Sequence, residues 1–122
     1  MGLAGAVCNL LVIRSLDIER VMLFYQRIGL SFVKHAHGTG PEHYTSEVDR
    51  FVFEIYPACS DGEVTRQVRI GFEVGDVDAV FSALVEVGAV VRSKPANSQW
   101  GRRAVVQDFE GRLVELLTPA VH

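Results

Sequence analysis

Apolar and polar positions run through this chain in two similar cycles. In the first, residues 7–13 are almost wholly apolar and break at Arg14-Ser15, which predicts a short buried strand. Val21, Phe24, Tyr25 and Ile28 then recur at helical spacing behind Asp17, whose carboxylate can accept from the amides of a first helical turn. Gly29 can supply the left-handed residue that closes this helix. Residues 30–36 alternate as a strand and 38–41 have loop composition. Segments 43–48 and 51–56 flank Asp49-Arg50, a polar pair suited to a hairpin bend before Pro57.

The second cycle predicts a strand over 68–74 and a helix over 76–87 with Val77, Val80, Phe81 and Leu84 inward, stopped at Gly88. A short strand over 89–92, a loop over 95–101 and a hairpin of 103–107 with 113–117 follow, the hairpin turning at Asp108-Phe109-Glu110-Gly111. The two cycles are copies of one unit. LLVIRSLDIERVMLFYQRIG (10–29) and RIGFEVGDVDAVFSALVEVG (69–88) align 59 positions apart, with Asp17 on Asp76 and Gly29 on Gly88. The expected fold class is therefore α+β: two paired β-α-β-β-β modules, residues 1–57 and 67–122, joined by a linker over 58–66 and forming a cupped mixed sheet. Each module's helix covers one face of its sheet and leaves the other bare. Cupping the two bare faces together would make a cavity, the expected ligand site.

Composition narrows what that site can do. The net charge of -3 and pI near 5.8 exclude the basic stripe of a nucleic-acid binder. No apolar run is long enough to span a bilayer, and the N-terminus shows neither a basic signal region nor a myristoylation motif, so a cytoplasmic protein is expected. Cys8 and Cys59, too few for a disulfide framework, read as free thiols beside apolar residues, with nothing to mark either as a nucleophile.

Three stretches, SLDIERVMLFYQRIGLSFV, FEVGDVDAVFSALVEVGAVV and WGRRAVVQDFEGRLVELLTP, resemble the vicinal oxygen chelate superfamily of glyoxalases, extradiol dioxygenases and bleomycin resistance proteins, with the pattern nearest the last of these. The resemblance implies four metal seats, one on the first and one on the last strand of each module. Here they fall at Leu10, Glu54, Arg69 and Glu115. A methyl group and a guanidinium cannot coordinate a divalent ion, so no metal site and no cofactor is expected. If Glu54, Arg69 and Glu115 converge, they form either a structural triad or a cavity with excess negative charge. Trp100, in QWGR, resembles a tryptophan that lines the drug crevice of bleomycin resistance proteins, or else it caps the sheet. Arg102 and Arg103 alternate, so at most one faces the cup. His35 and His37 share a strand face with His43 beyond the next turn, readable as partial metal ligands or as exposed residues without a role.

The sequence thus supports metal-independent binding of a small organic molecule, aromatic or cationic, with Glu54, Tyr56, Arg69, Trp100, Arg102 and Glu115 as site residues and no catalytic residue. Antibiotic sequestration by a homodimer is the expected setting. The rival is a glyoxalase-like or dioxygenase-like metalloenzyme with a non-standard donor among the histidines.

Overall fold

A computed structural model describes residues 4–121. In module one, β1 (Leu10–Ser15), α1 (Ile18–Ile28), β2 (Val33–His35), β3 (His43–Val48) and β4 (Phe51–Pro57) build a four-stranded sheet in the order β1-β4-β3-β2. After one 3-10 turn, Asp61–Glu63, module two repeats the plan. Its β5 (Arg69–Glu73), α2 (Val77–Glu86), β6 (Val90–Ser98), β7 (Gly101–Gln107) and β8 (Leu113–Pro119) take the order β5-β8-β7-β6. In each sheet the first and last strands are parallel and the other pairs antiparallel. The architecture is α+β, two paired β-α-β-β-β modules, each with its own mixed sheet.

Both helices start as the pattern predicts. The Asp17 carboxylate accepts from the Arg20 amide at 3.1 Å, and Asp76 accepts from Ala79 at 3.1 Å. Each bond satisfies an amide that has no partner inside its own helix. α1 buries Val21, Phe24, Tyr25 and Ile28, while α2 buries Val77 and Leu84 and half-buries Val80 and Phe81.

Strand limits differ from the expectation in two places. β1 begins at Leu10, the first residue in register with β4, where it pairs with Val52. As an edge strand it alternates between buried and exposed positions and is not buried throughout. The short strand and loop expected over 89–101 form a single strand, β6, which runs through Pro95 to Ser98. Pro95 is tolerated because β6 is an edge with register shifts on either side of Ser93, so the missing N–H costs no regular ladder bond.

The β3–β4 turn is the tight two-residue bend expected at Asp49-Arg50, with φ of 50 and 65 degrees. Both residues occupy the left-handed region, which costs a non-glycine residue about 1 kcal/mol. Arg50→Gly is therefore expected to raise the urea midpoint by the equivalent of about 1 kcal/mol. A lower midpoint would mean that the Arg50 side chain stabilises the turn by more than its backbone strain costs.

The modules join through their helix-covered sides. α1 lies against α2, Phe24 packs edge-on against Phe109 at 5.3 Å, and Tyr25 meets Phe53 at 5.1 Å and Phe72 at 5.9 Å between ring centres. A buried polar knot holds the same junction. The Tyr25 hydroxyl donates to Asp108 Oδ2 at 2.6 Å, and Arg112, fully buried, donates to the same oxygen at 3.0 Å. Arg112 also donates to Glu110 at 3.0 Å and to the Arg14 carbonyl at 2.8 Å, while the Leu16 amide donates to the other Glu110 oxygen at 2.9 Å. Burial first, and the Asp108 carboxylate second, push the Tyr25 hydroxyl well above the ordinary tyrosine range. The β7–β8 turn of module two is thus tied to the β1–α1 turn of module one.

This junction leaves the opposite face of each sheet outside the shared core. Leu10 is 51% exposed and Val12 37% exposed on the module-one face, and Arg69 is exposed on the module-two face. Within one chain the bare faces are not buried against each other as the cup was expected to bury them.

Candidate functional site

The alternation of strand residues sorts the candidate side chains by face. On β1 and β4, Val12 lies opposite Glu54 and Arg14 opposite Tyr56, all on the outer face, while Ile13 and Ile55 point into the core. Glu54 accepts from Thr45 Oγ1 at 2.8 Å and lies 3.5 Å from His43 Nε2. Tyr56 stacks face to face on His43, ring centres 4.1 Å apart, and the Arg14 guanidinium lies over the Tyr56 ring at 5.4 Å from its centre.

The histidines do gather on this face. His35 and His37 stack at 5.8 Å, and His37 lies 5.4 Å from His43. His43 is not the exposed residue the loop-like sequence suggested. It is 1% exposed, with Nδ1 3.3 Å from the Pro41 carbonyl and Nε2 without a hydrogen-bond partner among the described residues. Stacking brings rings face to face, not lone pairs toward one point. Among the described residues no group of three His, Cys, Asp or Glu side chains is placed to hold a metal ion. Cys8 and Cys59 are free thiols, as expected, and both are exposed.

On module two, Arg69 Nε donates to Glu115 Oε2 at 3.0 Å, and Arg103 Nε donates to the other Glu115 oxygen. Arg103 and then Arg69 hold the Glu115 carboxyl below its ordinary value of 4.5, against the opposing effect of burial. Glu54 is bonded within module one and does not join this pair, so the expected trio is a duet of arginines on Glu115. The folded value of Glu115 is lowered, so its stabilising contribution is present above about pH 4.5 and is lost as pH falls through the folded value. In urea melts, the stability gap between the parent and Glu115→Gln should therefore shrink as the buffer is taken from about pH 7 to about pH 3. A gap that stays constant with pH would mean that the carboxylate is unpaired in solution.

Arg102 faces the other way from its predicted role. It donates to both carboxylate oxygens of Asp78 on α2, at 3.0 and 2.9 Å, and so covers the helix side of the sheet. The site residue that sequence reasoning passed over is Arg103. Its signal was turn length: residues 108–112 all lie in the turn, so Gln107 faces Leu113 and Val105 faces Glu115, which puts Arg103 on the face of Glu115. Trp100 occupies the β6–β7 turn, 62% exposed, with its amide donating to Ser98 Oγ at 3.2 Å and its carbonyl accepting from Ala120 at 2.9 Å. It is therefore not packed as a cap on the core.

A second space lies between the modules on the core side. It is a crevice of about 350 Å³ whose walls include Phe51, Phe53, Ile70 and Phe72, with the Ser46 hydroxyl buried and unpartnered among the described residues. None of the six predicted site residues lines it.

Residues 10–117 match the glyoxalase-like domain family. The chain belongs to that family. It is accordingly a member of the vicinal oxygen chelate superfamily. Solved structures of similar fold include TnmS3, an antibiotic binding protein from Streptomyces sp. CB03234, at 22% identity and a TM-score of 0.72, covering 98% of this chain and 100% of that one. TioX from Micromonospora sp. ML1 is similar at 21% identity and a TM-score of 0.68, covering 94% and 100%. A glyoxalase/bleomycin resistance protein from Albidiferax ferrireducens T118 is similar at 17% identity and a TM-score of 0.73, covering 92% and 98%. At these identities the likeness speaks for the fold. The curated proteins contain no significant match to the chain.

The divalent metal associated with glyoxalase-like relatives does not fit the donors of this chain. Leu10 offers hydrocarbon, Arg69 carries a fixed positive charge into its seat, and both Glu115 oxygens are taken by guanidiniums. Among the described residues no helix is long and apolar enough to cross a membrane.

Proposed function

We propose that this glyoxalase-like chain binds a small organic molecule with a planar aromatic body on the outer faces of its sheets, without a metal ion. The observation that carries the reading is the module-one face itself. Leu10 and Val12 stand exposed beside the stacked Tyr56 and His43, with the half-buried Glu54 as a polar mark, which is the mixture of apolar wall and few polar groups that small-molecule sites use. One face is half a site. We propose that the chain closes it as a homodimer, laying the module-one face of one copy against the module-two face of the other, since exposed valine and leucine side chains in a row favour burial. Antibiotic sequestration in the cytoplasm is the setting that accords with this reading, given the antibiotic binding protein TnmS3 on the same fold.

Of the two ligand classes suggested by the sequence, the aromatic one has the support of the stacked rings. The cationic one required uncompensated carboxylates, and Glu115 is compensated twice. The test is calorimetric titration with planar aromatic antibiotics and dyes, with and without a chelator. Saturable binding that ignores the chelator and falls about tenfold or more in Tyr56→Ala and Val12→Glu is expected. Binding that needs added zinc, nickel or manganese would overturn the metal-free reading. The unpartnered Ser46 hydroxyl supports a second reading, with the ligand in the inter-module crevice. That reading is favoured if Phe51→Ala weakens binding and Tyr56→Ala does not.

A further inference from the structure

Three arginines line one cavity on the outer side of the module-two sheet, and no acidic side chain lines it with them. Arg66, Arg69 and Arg92 share its walls with Gln107, Gly111 and Leu113, and its volume is about 410 Å³. It opens at the end of the sheet where Gln107 pairs with Leu113. Trp100 lies at the other end, beyond the pairing of Gly101 with Pro119 and about 20 Å away along β7.

The arginines are tethered but not saturated. Arg69 donates its Nε–H to Glu115 at 3.0 Å, and Arg92 donates one N–H to Gln107 at a long 3.4 Å. Arg66 directs its two terminal nitrogens at Asp61, to the backbone carbonyl at 3.0 Å and the carboxylate at 2.7 Å. Each guanidinium therefore keeps further N–H donors. Around the cavity stand four guanidiniums, counting Arg103, against the two carboxylates of Asp61 and Glu115. The surplus is two positive charges, in a chain whose net charge is -3. A local surplus of positive charge, against the sign of the whole molecule, makes this place attractive to an anion.

We infer that the molecule bound on the outer face carries an anionic group, a carboxylate, sulfonate or phosphate, and that Arg66, Arg69 and Arg92 hold it. The inference rests on the outer-face reading and on the proposed dimer, which lays the module-two face of one copy against the aromatic module-one face of the other, and it adds the polar end of the ligand. Planar guanidiniums suit such groups because two parallel N–H bonds can meet two oxygens.

The experiment is a matched series on one ring system: 2-naphthoate, 2-naphthalenesulfonate and 2-naphthyl phosphate against neutral 2-naphthamide and cationic 2-naphthylmethylammonium, with inorganic phosphate alone as a further arm. Binding is read by calorimetry at low salt. The anions should bind about tenfold or more tighter than the amide, with the advantage shrinking as salt rises and vanishing in Arg92→Gln and in Arg66→Gln. Both variants change exposed or half-exposed side chains, and a thermal melt of each confirms the fold. Equal affinity for naphthoate and naphthamide, or a preference for the cation, overturns the anion inference while the aromatic reading stands. Phosphate alone binding as tightly as naphthyl phosphate, with the same dependence on Arg92, upholds the anion site and overturns the aromatic body. Loss of a dimer in Arg92→Gln, with unchanged naphthoate affinity, would assign the arginines to the subunit contact and also overturn the inference.

Discussion

Arg112→Leu is expected to cost about 3–5 kcal/mol of folding free energy and to lower the melting temperature by roughly 10–20 °C. The guanidinium is fully buried and serves Asp108, Glu110 and the Arg14 carbonyl at once. Removing it leaves the Asp108 carboxylate, also buried, with only the Tyr25 hydroxyl and nearby backbone amides to offset its charge. The knot is also the polar tie between modules, so its loss acts on the junction as well as on the turn. Urea denaturation of the single variants and of Asp108→Ala/Arg112→Leu separates charge from packing. The double variant should be less destabilised than the sum of the singles, because it removes both members of the pair. Additive losses, or an Arg112→Leu cost under about 1 kcal/mol, would show that the ion pair does not hold the modules together.

Gly101→Ala should cost roughly 3 kcal/mol, the largest effect expected from adding a single methyl group. Gly101 has φ of 136 degrees, where a side chain is strained whatever the space, and here there is no space. A Cβ would sit 2.7 Å from the Ala120 nitrogen and 2.8 Å from the Pro119 carbonyl carbon, both backbone atoms that cannot swing aside. The close approach arises where the β6–β7 turn crosses the end of β8, with the Trp100 carbonyl bonded to the Ala120 amide. Gly71→Ala is the control. A Cβ there meets nothing within 4 Å, so its midpoint should stay within about 0.5 kcal/mol of the parent. Equal losses at both positions would mean that the turn is free to move.

Much of the fold was legible because it depends on local chemistry. Asp17 and Asp76 cap their helices through their own carboxylates, and the apolar spacing behind each sets the buried stripe, so both helices appear where the pattern puts them. Asp49-Arg50 makes its turn between two strands of matched alternation. β6 was less legible because an edge strand can carry a proline that reads as loop when its position in the sheet is unknown. The candidate site was legible as a set of residues, but not as a set of contacts. Arg103 and not Arg102 meets Glu115, a difference of one residue that alternation turns into opposite faces of a sheet.

By itself, then, the sequence determined two copies of a β-α-β-β-β unit, their helix caps and their hairpins. These follow from side-chain chemistry and from periods of about two and 3.6 residues, which neighbouring residues settle among themselves. Only the tertiary structure decided which faces the modules share and which remain bare, and with that the partners of Glu54, the burial of His43 and the gathering of Arg66, Arg69 and Arg92. Those outcomes turn on the Tyr25-Asp108-Arg112 knot and the Phe24, Phe53 and Phe72 contacts, in which residues far apart in the sequence, such as Tyr25 and Asp108, compete for the same buried space. No local period records such a competition, because its result depends on the shape and charge of both modules together.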